Sequence, residues 1–95
     1  MTVNLQELRV QIDAIDKQMI TLLAERFQLT EEVGKYKAEH QLPSQDAARE
    51  AQQFQKIAEL SEQQGLNPQY ASEIYRCIMD VVIARHQELL MKVKV

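Results

Sequence analysis

Residues 5–37 read LQELRVQIDAIDKQMITLLAERFQLTEEVGKYK, and the fold turns on how this stretch is read. Apolar residues recur at Leu5, Leu8, Ile12, Ile15, Met19, Leu22, Leu29, Val33 and Tyr36. The steps are three and four throughout, apart from one gap of seven, which is the spacing of a packed helical seam. The missing tooth is position 26, an arginine. A guanidinium on a buried seam stays charged and must find an anion or hydrogen-bond partners. Either a carboxylate of the protein or an anionic ligand can meet that need.

The stretch has no proline and a single glycine, Gly34. Asn4 followed by Glu7 forms a capping-box-like start. A helix from about Leu5 to His40 would hold about 36 residues and measure roughly 54 Å. A compact chain of this size has a diameter of only about 30–35 Å. The predicted helix therefore overshoots a monomeric globule, and its apolar stripe calls for a two-fold-related copy of the same chain. A break near Gly34 is the monomeric alternative.

Beyond this helix, Pro43 ends the pattern and Ser44 can cap a second helix. That helix carries Ala47, Ala51, Phe54, Ile57, Ala58 and Leu60 and stops at Gly65. Asn67-Pro68 supplies a cap and a first-turn proline for a third helix, with Ala71, Ile74, Tyr75, Ile78, Met79, Val82 and Leu89 as its apolar face. No strand pattern competes, so the fold class is all-α: three helices, the first very long, in an intertwined homodimer.

The 95 residues, which start at Met1 and end without a linker, are read as one domain, 1–95. Net charge is −3, with both signs interspersed, so nucleic acid is not an expected partner. No continuous apolar run suggests a signal peptide or a membrane span. The single cysteine, Cys77, permits no internal disulfide and suits the cytoplasm. It is expected as a small core residue.

Seven polar residues stand at notable places: Arg9, Arg26, Lys37, Asp46, Arg49, Glu50 and His86. Lys37 follows Arg26 by eleven residues, about three turns, and so projects from nearly the same face. Asp46 and Glu50 share a face of the second helix with Arg49 between them, although acids there also suit a helix N-terminus without any further role. His86 points at least partly inward, as many core histidines do. Histidine and cysteine show no metal-ligand spacing, and no nucleophile motif occurs, so neither metal nor cofactor is expected. Cations, paired carboxylates and one neutral polar group inside a helical protein would suit a small dicarboxylate.

The words L-R-x-x-I-D-x-I-D, L-L-x-E-R, E-V-G-x-x-K and D-x-x-R-E, spread over residues 8–50, resemble the all-helical (AroQ-class) chorismate mutases. The resemblance implies an intertwined homodimer and the rearrangement of chorismate to prephenate. It implies that Arg9 reaches into the partner's site to meet a substrate carboxylate, and that Arg26 holds a carboxylate within its own chain. Lys37 would donate to the ether oxygen of the breaking C–O bond. Asp46 and Glu50 would lie near the ring hydroxyl, with Glu50 accepting from it, and Arg49 would line the site. Two positions depart from the family pattern. His86 stands where many members have glutamine or glutamate facing the ether oxygen, with Gln87 next to it, and Val82 stands where some have serine. We favour His86 over Gln87 because the latter would need a one-residue shift in helix register. An isochorismate–pyruvate lyase on the same scaffold is the nearest rival, though it generally lacks the acidic pair. A non-catalytic helical dimerisation or regulatory module is another, but it leaves Arg26 unexplained.

Overall fold

The computed structural model describes residues 4–94, and all regular structure among them is helical. There are three helices: α1 (Leu5–Glu39), α2 (Ala47–Gln63) and α3 (Pro68–Lys94). The chain divides into two compact units with the boundary between Thr30 and Glu31. No described helix is long and apolar enough to cross a membrane.

Local chemistry accounts for most of the helix ends. The Asn4 side chain accepts from the Gln6 amide at 2.8 Å and starts α1. Asn67 does the same for Gln69 at 2.8 Å, with Pro68 at the first position of α3. Helix α2 ends in a Schellman motif, with Leu66 N–H on Ser61 O at 2.8 Å and Gly65 N–H on Glu62 O at 3.2 Å. Gly65 takes the left-handed φ of 71° that this motif requires. The end of α1 repeats the pattern, Leu42 N–H meeting Lys37 O at 2.8 Å, but without a glycine. Gln41 adopts φ 54° there, at a cost of about 1–2 kcal/mol for a residue with a Cβ.

One predicted cap is corrected. Asp46, rather than Ser44, caps α2, its carboxylate accepting from the Arg49 amide at 3.1 Å. Both residues are competent caps by type, and Asp46 takes the extended geometry of an N-cap, φ −120° and ψ 98°.

In the first unit, Leu23, Arg26, Phe27 and Thr30 are half-buried and the remaining described residues are exposed. The apolar seam is uncovered in the single chain: Leu5, Leu8, Ile12, Ile15, Met19, Leu22, Leu29, Val33 and Tyr36 are 42–68% exposed. An ordinary monomer does not leave so many large apolar side chains in water along one helix face.

In the second unit α2 packs against α3. Ala38, Ala71, Met79 and Leu89 are buried, with Phe54, Ile57, Ala58, Tyr75, Ile78 and Val82 half-buried around them. Five expectations fail here. Ile74 and Leu60 are 54% and 50% exposed, and Ala47 and Ala51 are also exposed. Cys77 is exposed as well, so it is no core residue. Helix α3 is apolar on more than one face, and its packing selects the Ala71–Met79 side over the Ile74–Cys77 side.

The last turns of α1 join α3 through a polar clamp and a close contact. Arg85 grips Glu31 by Nη2 at 2.7 Å and by Nε at 3.0 Å, and its Nη1 reaches Glu88 at 3.0 Å. The hydrogen bonds from Arg85 hold the Glu31 carboxyl below its ordinary range, and Glu31 raises the guanidinium in return. One turn along, α1 runs unbroken through Gly34, which is buried. A Cβ at Gly34 would lie 2.6 Å from the His86 ring and 2.8 Å from Leu89 Cδ1, so the position has no room for one. Gly34→Ala is accordingly expected to lower the urea midpoint. Overpacking of about 1–3 kcal/mol outweighs the gain of about 1 kcal/mol in helix propensity. A midpoint unchanged or raised would show that the imidazole can step aside.

Candidate active site

Of the residues singled out in the sequence, Lys37, Asp46, Arg49, Glu50, Val82 and His86 belong to the second unit. Lys37 is half-buried in the last turn of α1, and its ammonium lies 3.4 Å from Ser44 O. That separation is long for a charged donor, so Lys37 retains donor capacity for another acceptor. His86 is 4% exposed and lies against Gly34, one turn before Lys37 on α1. Gln87 is exposed. In this register His86, and not its neighbour, faces α1. Val82, one turn earlier on α3, is half-buried.

The acidic pair divides into two roles. Asp46 is exposed and spends its carboxylate on the α2 cap, as the plainer sequence reading allowed. Glu50 turns inward, its side chain 15% exposed, and accepts from Arg76 Nη1 at 2.8 Å. Hydrogen bonding from Arg76 holds the Glu50 carboxyl below its ordinary range, against burial and against the nearby Asp46, with Gln45 also donating to it. Arg49 is exposed, and its backbone amide is the part used in the cap.

Arg76 is the residue that sequence reading missed. Its partner Glu50 lies 26 positions away, so no local spacing could reveal the pair. The only local sign is a charge inside the run Ile74-Tyr75-Arg76-Cys77-Ile78-Met79.

Arg9 and Arg26 belong to the first unit. Both are on α1, Arg9 exposed and Arg26 half-buried. Arg26 is thus partly withdrawn from water while its apolar seam neighbours Leu22 and Leu29 are 62% and 68% exposed.

Among the described residues no group of three or more His, Cys, Asp or Glu side chains could hold a metal ion. A cleft of about 190 Å³ is lined by Ile57, Leu60, Ser61, Leu66, Ala71 and Tyr75 among others, but by none of the candidate site residues. The second unit holds an ammonium with donor capacity on α1, an inward carboxylate kept ionised by Arg76 on α2 and a buried imidazole on α3. Such groups bind and polarise.

The family model described as chorismate mutase type II matches residues 8–87. The T-protein of Enterobacter agglomerans is 35% identical over 79 residues, covering 83% of this chain and 21% of that protein. The bifunctional chorismate mutase/prephenate dehydratase of Aquifex aeolicus is 35% identical over 89 residues, 90% of this chain and 25% of the relative. Its counterpart in Escherichia coli K12 is 32% identical over 83 residues, 87% of this chain and 22% of the relative. The chain therefore spans about a fifth to a quarter of the length of these curated relatives.

Proposed function

Because the chain belongs to the chorismate mutase type II family, we propose that it rearranges chorismate to prephenate, as a homodimer and without a cofactor. The match over residues 8–87, which takes in all four motif words, carries this reading. The uncovered seam of α1 supports the dimer, since a second copy would bury it. The cytoplasm is its proposed location.

A Claisen rearrangement needs no nucleophile, metal or proton transfer. The substrate must be held in its compact pseudo-diaxial form with the reacting ends in contact. Negative charge gathers on the ether oxygen as the C–O bond breaks ahead of C–C formation. Donors fixed at that oxygen stabilise the transition state more than the ground state. A millionfold acceleration corresponds to about 8 kcal/mol of such differential stabilisation.

In this reading Lys37 is the main donor to the ether oxygen and His86 the second. Arg26 clamps a substrate carboxylate within its own chain, and Arg9 reaches the partner subunit's site. Glu50 accepts from the ring hydroxyl, while Asp46, Arg49 and Val82 line the site. The half-buried Lys37, with donor capacity to spare, and the inward, ionised Glu50 are the geometric support.

The test is direct. Purified protein is incubated with chorismate and, separately, with isochorismate. Loss of chorismate with formation of prephenate is expected. Salicylate and pyruvate from isochorismate alone would replace this reading with the lyase, and no turnover of either would favour a non-catalytic module.

A further inference from the structure

Arg76 is half-buried on α3, and its donors are divided between two acids. Nη1 meets Glu50 Oε1 at 2.8 Å, while Nε and Nη2 meet Asp80 Oδ1 at 3.0 and 2.9 Å. The guanidinium also lies over the Phe54 ring, 5.6 Å from its centroid. Asp80 and Phe54 thus fix the cation on two sides, one from α3 and one from α2. The remaining donor, Nη1, points at Glu50, whose position on α2 is one turn before Phe54.

We infer that Arg76 is a positioning residue: it holds the Glu50 carboxylate in one orientation, from which Glu50 accepts the ring hydroxyl of the substrate. This rests on the chorismate mutase reading above. A carboxylate offers about four acceptor sites on its two oxygens. The contacts from Arg76 and Gln45 therefore leave capacity for a hydroxyl.

Charge works in the same direction as geometry. The groups acting on Glu50 are Arg76 from α3, with Asp80 behind it, and Gln45 and Asp46 from the segment before α2. Arg76 lowers the Glu50 carboxyl, whereas burial and Asp46 raise it. With Arg76 in place, Glu50 remains an acceptor as pH falls, until its depressed pKa is crossed. Without Arg76 the opposing influences dominate, and protonation sets in at higher pH.

The test measures kcat and KM for chorismate from about pH 4 to 8, a span covering ordinary carboxyl titration. Four proteins are compared with wild type: Arg76→Gln, Arg76→Lys, Glu50→Gln and the Arg76→Gln/Glu50→Gln double variant. Hydroxyl recognition is shared by bound substrate and transition state, so its loss falls on KM. Arg76→Gln is expected to raise KM about tenfold, the scale of one weakened charge-assisted hydrogen bond. It should also move the acid limb of kcat/KM to higher pH. Arg76→Lys, a point charge without the fork, should restore most of the activity and shift the limb less. In the Glu50→Gln background, Arg76→Gln should add nothing further.

An unshifted limb, a loss confined to kcat, or full additivity with Glu50→Gln overturns the inference. Should Arg76→Gln fail to fold, Arg76→Lys decides through coupling: its rise in KM should vanish in the Glu50→Gln background, and full additivity there overturns the inference. Wild-type protein that does not consume chorismate overturns the reaction reading and this inference together. Turnover with an unshifted limb overturns this inference alone.

Discussion

Lys37→Ala is expected to lower kcat for chorismate by about 10²–10³, the usual loss when one fixed donor to a developing oxyanion is removed. The loss should appear in kcat and kcat/KM alike, because the ether oxygen gains its charge only as the C–O bond breaks. Stability should change little. Lys37 makes one long contact, 3.4 Å to Ser44 O, and alanine is a better helix former. Steady-state kinetics with a thermal melt as control separate the two effects. A kcat within about threefold of wild type would remove Lys37 from the chemistry, since losing a transition-state interaction must lower kcat.

Arg26→Met is the second large effect. Methionine continues the apolar seam and matches arginine in helix propensity, so helicity by circular dichroism and oligomeric mass by sedimentation should be retained. Under the proposed role kcat/KM falls by about 10²–10³, within the range for deleting one partner of a desolvated charge pair. Arg26→Lys should recover only a fraction, because an ammonium cannot grip a carboxylate with two parallel hydrogen bonds. A non-catalytic helical module predicts the opposite: Arg26→Met neutral or stabilising, with nothing else lost. Unchanged turnover in Arg26→Met would therefore reject the clamp.

These two residues show what kind of information was readable in advance. The helices were legible because their signals are local. Asn4, Gly65 and Asn67-Pro68 end or begin helices where the rules of capping place them. The N-cap of α2 is not legible in advance because Ser44 and Asp46 are both competent cap residues two positions apart, and the structure uses Asp46. On α3 the periodicity found an apolar helix but not its packed side, so Ile74 and Cys77 were expected inside and are exposed.

The polar residues divide along the same line. That Arg26 was out of place could be seen from the seam alone, and Lys37 acquired a role only through the motif words around it. His86 was favoured over Gln87 on register, and the structure buries the first and exposes the second. The Arg76–Glu50 pair is tertiary, and nothing in a linear pattern joins residues so far apart. Asp46 had been paired with Glu50 on helix spacing, yet one caps a helix while the other faces a cation.

The contact between Gly34 and His86 also constrains the order in which this protein can change. Position 34 can accept a methyl group only if the His86 ring and Leu89 Cδ1 both give way. Position 86 is less constrained, since an unbranched, more flexible side chain such as glutamine can fold away from the α1 backbone. A lineage leaving the present pair therefore meets less crowding when residue 86 is replaced first, although Leu89 Cδ1, 2.8 Å from a Cβ at position 34, must still yield when that residue is enlarged. Taken in reverse, the same two substitutions pass through a more crowded intermediate. Two residues 52 positions apart in the chain thus share, with Leu89, one small volume that a change at any of them redistributes.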